Sequence, residues 1–128
     1  MKGEAIHPAG LFRRPFYSDV VKAGNTVYIA GQLSRDEKGN VVGAGDFRVQ
    51  AEKVFENLQL ALKAVGANLS KVVSTTAYVT NITYLPILTE IVAKYFGTEA
   101  PPNLTVVMVS SLALPEYLLE IQAVAVVE

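Results

Sequence analysis

A carboxylate stands at position 120 inside Leu118-Leu119-Glu120-Ile121-Gln122-Ala123-Val124, a segment otherwise almost wholly apolar. Charged groups in such surroundings are paired, hydrogen-bonded or turned towards a cavity, because leaving water penalises the ionised form. Period-2 alternation puts Glu120 and Gln122 on one side of a strand. That side faces either a site, where a desolvated carboxyl can hold or relay a proton, or solvent and a polar subunit interface. Asn103 and Thr105 also share a strand face; they are polar groups for a ligand or simply the polar start of a strand after Pro101-Pro102. Tyr17 opens the first clear strand, where a tyrosine packs its ring and hydrogen-bonds its hydroxyl. The single histidine, His7, lies near the terminus, and a triad base must be held rigidly; an exposed or strand-edge histidine is the simpler reading. Gly39, Gly43 and Gly45 are not followed by the Lys-Ser/Thr of a phosphate loop.

The chain has 128 residues, enough for one domain spanning 1–128, with 51% hydrophobic and 18% charged residues. It is too apolar for a disordered chain and large enough to bury a core. Eleven Lys+Arg against twelve Asp+Glu give a net charge of −1, so there is no basic field for a phosphate backbone and nucleic acid is not an expected partner. There is no cysteine, which excludes disulfides, thiolate catalysis and Cys-ligated metals; a single histidine excludes multi-His metal sites. No apolar run of signal-peptide length occurs over Met1–His7, and the stretches near Leu104–Val109 and Leu118–Val127 are far short of the ~20 residues that cross a bilayer. A cytoplasmic protein without membrane partners is the expectation. So few charges on so small a chain also suggest that apolar surface meets another subunit.

The elements that must position these residues are readable in outline. Phe16 to Leu33 reads as two strands, with β-prone cores at Val20-Val21 and Val27–Ala30 and a hairpin turn at Gly24-Asn25. Asp36 to Gly45 is an exposed loop or hairpin tip. Asp46 is the expected N-cap of a helix whose apolar stripe is Val54, Leu58, Ala61, Leu62 and Val65, ended by Gly66. Lys71 to Thr80 alternates as a strand. Thr83 is the expected cap of a second helix with Pro86 in its first turn, a face of Leu88, Ile91, Val92, Tyr95 and Phe96, and Gly97 as its stop. Leu104 to Val109 and Tyr117 to Val127 are the last strands. The order β-β-α-β-α-β-β makes a single α+β domain, and the final strand, apolar on nearly both faces, is expected to be central or covered on both sides.

These pieces together resemble the Rid family, the YjgF-like reactive intermediate deaminases. Pro15-Phe16-Tyr17-Ser18 with Val27-Tyr28-Ile29-Ala30-Gly31-Gln32 is similar to the family's opening strands, and Gln50 through Asn57-Leu58 to Gly66 to its first helix. Val72–Thr80, Tyr95-Phe96-Gly97 with Pro101, and Leu119–Ala125 resemble its later segments. The resemblance implies a chorismate-mutase-like fold, a homotrimer with clefts between subunits, and cofactor-free, metal-free hydrolysis of small enamines and imines. It places Tyr17 and Glu120 as catalytic residues, with Gly31, Asn103 and Thr105 binding the substrate. The family's carboxylate-gripping arginine is missing: its place holds Asn103. Thr89 stands where asparagine is frequent, and the loop Ser110–Glu116 is longer than usual.

A guanidinium holds a carboxylate with two parallel charged hydrogen bonds, which asparagine cannot reproduce. Three other arginines, Arg13, Arg14 and Arg35, lie near strand ends by the family cleft and could compensate. The readings are therefore an enamine/imine deaminase on an atypical substrate, or a non-catalytic binder of a small metabolite in the same cleft. The near-neutral charge and the lack of a catalytic histidine pair count against the ribonuclease or translation-inhibitor role attributed to some relatives.

Overall fold

The chain folds as β1 (Glu4–Ile6), β2 (Val20–Ala23), β3 (Thr26–Leu33), α1 (Phe47–Lys63), β4 (Val72–Val79), α2 (Leu85–Phe96), β5 (Asn103–Met108) and β6 (Leu119–Val126) in a computed structural model that describes residues 3–128. Met1 and Lys2, the start of the segment read for a targeting signal, lie outside the described residues. The strands form one six-stranded sheet in the order β1-β2-β3-β6-β4-β5. Only β4 and β5 run parallel, joined by the α2 crossover. The last strand is central, as its composition predicts. No helix among the described residues is long and apolar enough to cross a membrane.

Both helices cover one face of the sheet. Asp46 caps α1 as expected, its side chain accepting from the Val49 N–H at 3.1 Å, and Val54, Leu58, Ala61 and Leu62 are buried against the sheet. Gly66 adopts φ 69° just beyond the helix, a left-handed turn that a Cβ would strain. Beneath α1 lie Val27, Ile29, Ile121, Ala123 and Ala77, all buried.

Three local expectations are corrected. A short strand, β1, precedes the expected order and pairs Glu4 with Lys22 and Ile6 with Val20; three residues carry too little pattern to be seen as a strand, and pairing with a neighbour creates it. Thr83 is not the cap of the second helix. Asn81 opens a single 3-10 turn, Ile82–Tyr84, by accepting from both the N–H and the hydroxyl of Thr83, and α2 follows with Pro86 in its first turn. Finally, β6 starts at Leu119, because Tyr117 and Leu118 are held as an approach to the strand by a helix side chain.

That side chain is Gln50, fully buried on α1. Its Nε2 donates to the Gly43 and Glu116 carbonyls at 3.0 and 2.9 Å, and its Oε1 accepts from the Leu118 N–H at 2.9 Å. Asn57, two turns on and 2% exposed, donates to the Leu33 and Arg35 carbonyls at 2.9 and 3.0 Å. One helix thus fixes the end of β3, the following loop and the entry to β6.

No helix among the described residues covers the opposite face of the sheet. Register aligns Glu120, Tyr78 and Val107 in one row, Gln122, Thr76 and Thr105 in the next, and Tyr28, Val124, Ser74 and Asn103 in a third. Tyr28, Val73, Val107 and Val126 are 36–52% exposed there.

Replacing Gln50 by Leu strands the three backbone groups it serves. The variant is expected to lose about 2–4 kcal/mol of stability, read as a lower urea midpoint with an unchanged slope. Gln59→Ala, on the exposed side of the same helix, stays within about 0.5 kcal/mol of the parent.

Candidate functional site

A bulge between β3 and β6 builds the site. Ile29 pairs with Ala123 and Gln32 with Ile121, so Ala30 and Gly31 together oppose Gln122 alone. Such an extra residue bends a strand and re-aims the side chains beside it. The bulge is locked from below: Ala30 N–H donates to the Asp19 carbonyl at 2.8 Å, and buried Gln32 donates to the Ala30 carbonyl at 3.0 Å and the Asp19 carboxylate at 3.3 Å.

Glu120 lies next to this bulge, and its carboxylate covers Gly31. A Cβ at position 31 would fall 1.9 Å from Glu120 Oε2, so glycine is required there for room. The carboxylate borders a cavity of about 320 Å³ that Arg14, Tyr17, Gly31, Arg35 and Ala113 also line. This volume suits a small metabolite. Burial raises the Glu120 carboxyl above its ordinary range, and the nearby Arg35 charge works against that rise. The site is thus one where a proton is held more readily than on a surface glutamate.

Arg35 is the best anchored cation in the cavity. It is only 9% exposed; its Nη2 donates to the Tyr17 hydroxyl at 2.8 Å, and its guanidinium lies 5.3 Å from the centre of the Phe12 ring. Tyr117 lies against it, its hydroxyl pushed up in pKa by burial and pulled back by Arg35. Arg14 stacks over Phe16 at 5.0 Å. Arg13 is exposed and lies outside the cavity lining.

Of the residues singled out in the sequence, Tyr17, Gly31 and Glu120 come together with Arg14 and Arg35. Asn103 and Thr105 do not join them within one chain. β5 lies two strand spacings from β6, and the Asn103 row lies four residues from the Glu120 row, roughly 10 Å across and 13 Å along the sheet. The Asn103 side-chain oxygen accepts from the Thr75 N–H at 3.4 Å. His7 is exposed. Among the described residues no three His, Cys, Asp or Glu side chains gather as a metal set. Asn57 and Gln50 were not recognised as supports of the site; the available signal was two amides on the buried stripe of a helix.

Comparisons with known proteins bear on the family and the fold. The family described as endoribonuclease L-PSP matches residues 12–127. A RutC family protein of Pyrococcus horikoshii is 38% identical over 109 residues, covering 85% of each chain. A 2-iminobutanoate/2-iminopropanoate deaminase of Dermatophagoides farinae is 30% identical, covering 88% of this chain and 86% of its own. Among solved structures, a Rid-family protein of Yersinia pestis superposes with a TM-score of 0.91 at 28% identity, over 98% of this chain and 99% of that one. The α+β sheet with two helices on one face defines the YjgF-like class. The chain belongs to the Rid family.

Two outcomes follow from the packing of Glu120. Gly31→Ala is expected to push the carboxylate off the bulge, with a stability loss of about 1–3 kcal/mol from overpacking and loss of ligand binding, checked by denaturation and titration. For Glu120→Gln the sign is set by the raised carboxyl. A folded-state pKa above the unfolded one favours the fold of the wild type below pH 4.5 and loses that advantage as pH rises through the raised value. The melting temperature of wild type minus variant should therefore fall between acid and neutral pH; a rise would show that Glu120 is stabilised as a carboxylate.

Proposed function

We propose that the protein is a cofactor-free hydrolase of a small enamine or imine, acting in clefts completed by neighbouring copies in a homotrimer. The observation that carries the reading is the Glu120 carboxyl, desolvated on Gly31 in a metabolite-sized cavity that Tyr17 also lines. In this reaction an enamine first takes a proton at carbon and gives one up from nitrogen, becoming the imine. Water adds to the C=N carbon and gives a carbinolamine. The C–N bond then breaks, its electron pair leaving with nitrogen as ammonia, and the hydroxyl proton departs to leave C=O. Imine and water become carbonyl compound and ammonia, with no redox change. Glu120 holds the water as a carboxylate and carries a proton towards the departing nitrogen as an acid. Tyr17, oriented by Arg35, hydrogen-bonds the reacting group.

The deaminase name of the Dermatophagoides farinae relative supports the reaction class. The shared cleft is supported by the distance of Asn103 and Thr105 from Glu120, which only a second chain would bridge. It is also supported by the open sheet face with Tyr28, Val73, Val107 and Val126. Asn103 stands where the family resemblance puts a charged clamp, so an acid group on the substrate is either met by another cation or absent. A second reading, a non-catalytic metabolite-binding protein, is favoured by one observation: the Asn103 side chain is already engaged with Thr75 of its own chain.

The test is formation of 2-keto acid from 2-iminobutanoate generated in place, alongside an uncharged imine. Turnover above the spontaneous rate is expected for at least one, falling roughly 100-fold or more in Glu120→Gln, while light scattering gives three times 13.8 kDa for both proteins. Ligand binding without acceleration in either assay establishes the binding protein instead. A monomer at micromolar concentration overturns the shared cleft.

A further inference from the structure

We infer that Arg35 is an anion-holding residue of this cleft, so that the ligand is a small carboxylate whose acid group lies on the Tyr17 side of Glu120, within one chain. The inference rests on reading the cavity as the ligand cleft, and it adds the chemical class and orientation of what binds there.

Three observations on the side chain point the same way. Arg35 is 9% exposed, yet no carboxylate among the described residues lies within ion-pair distance of it; the ion pairs are Arg48–Glu90, Lys53–Glu56 and Lys94–Glu52, all elsewhere. A guanidinium has five N–H donors, and its partners in the fold are tyrosine hydroxyls, Tyr17 at 2.8 Å and Tyr117 beside it. Its spare donors are not among the buried atoms left without a partner; on a side chain that lines the cavity, they are open to an acceptor from outside the fold, and a carboxylate can take two of them at once. The cavity supplies the place: Arg35 lines it together with Arg14, against the single carboxylate of Glu120. Two cations facing one titratable acid attract an anion.

The remaining contacts hold the guanidinium rather than consume it. Its plane is backed by Phe12, which leaves its edge donors free. Its backbone is pinned by Asn57, which accepts nothing from the protein on its own Oδ1 and serves as a positioning residue. A preset guanidinium binds a carboxylate at little entropic cost. This cation is not interchangeable with one at position 103. That position lies across the sheet within the chain and would reach the cleft from a neighbouring subunit, so a ligand held on Arg35 is oriented from the segment that leaves β3 rather than from β5.

The probes are 2-oxobutanoate and its methyl ester, titrated into the whole protein and followed by NMR or calorimetry. The acid is expected to bind roughly 10–100-fold more tightly than the ester. Arg35→Gln should remove that preference and leave ester affinity within about threefold. Arg35→Lys, which keeps the charge and guards against misfolding of the first variant, should keep only part of it. Arg13→Gln, outside the cavity, should leave the preference intact. Equal binding of acid and ester to wild type, or no binding of the acid, overturns the inference. So does a preference that survives in Arg35→Gln and Arg35→Lys but disappears in Arg14→Gln or Asn103→Ala. Acid binding through Arg35 with no turnover of any imine would sink the hydrolase reading and leave this inference standing. Turnover with the acid preference untouched by Arg35 would do the reverse.

Discussion

The space above Gly31 belongs to Glu120. A Cβ at position 31 and the Glu120 carboxylate cannot coexist, since they would sit 1.9 Å apart. That exclusion needs β3 to bulge at Ala30-Gly31, and the bulge needs its freed backbone groups satisfied, which Asp19 and Gln32 do from the buried side. It also needs the two strands in fixed register, which their central place in the sheet provides. The carboxyl is thereby held half out of water, and desolvation raises its pKa. A carboxylate free to swing to the surface would lose that property along with its place beside the cavity.

The helix layer does more than bury the sheet. Gln50 and Asn57 occupy positions on α1 where the apolar stripe leads one to expect hydrophobic side chains, and both are buried. Each uses its amide to satisfy backbone groups of the segments that leave β3 and enter β6. Two apolar residues there would pack as well but would leave buried carbonyls and an N–H unpaired, a cost of about 1–3 kcal/mol for each group. The arrangement transfers the rigidity of a regular helix to the irregular chain that carries Arg35 and approaches Glu120. Sites mounted on loops need such support, because a loop alone does not hold a side chain to hydrogen-bond tolerance.

Much of the fold was legible because it rests on periodicity. The α1 stripe, the Asp46 cap, the Gly24-Asn25 turn and the centrality of β6 each follow from a pattern within a few residues. β1 was not legible, since three residues have no period and exist as a strand only by pairing with β2. The Asn81 turn was missed for a similar reason: Asn81 and Thr83 both have cap chemistry, and only the geometry says which accepts. In the site, Glu120 stood out because a lone carboxylate among Leu, Ile and Ala is expensive to bury. Arg35 was legible only as one of three arginines near the cleft, because nothing local to Ser34-Arg35-Asp36 sets it apart from Arg13 or Arg14. Its burial is decided by Phe12, Tyr17 and Asn57, all of them 18 or more positions away, and no local pattern reports such contacts.

The charges of the cavity are coupled rather than additive. Arg35 opposes the desolvation that raises Glu120, so it favours the ionised carboxylate while the cleft is empty. In that state Glu120 is suited to hold water. A ligand carboxylate on Arg35 would neutralise part of the field that now favours ionisation and add a negative charge of its own nearby. Both changes act in one direction, making Glu120 keep its proton more firmly. Arg14 and Tyr17 line the same space, and Arg14, held over Phe12 and Phe16, limits the change. Binding would then favour the protonated carboxyl at the stage where the proposed reaction needs a proton on the departing nitrogen. The same carboxyl could serve both steps without a second titratable side chain, which fits a chain whose single histidine lies exposed near the N-terminus, outside the cavity lining.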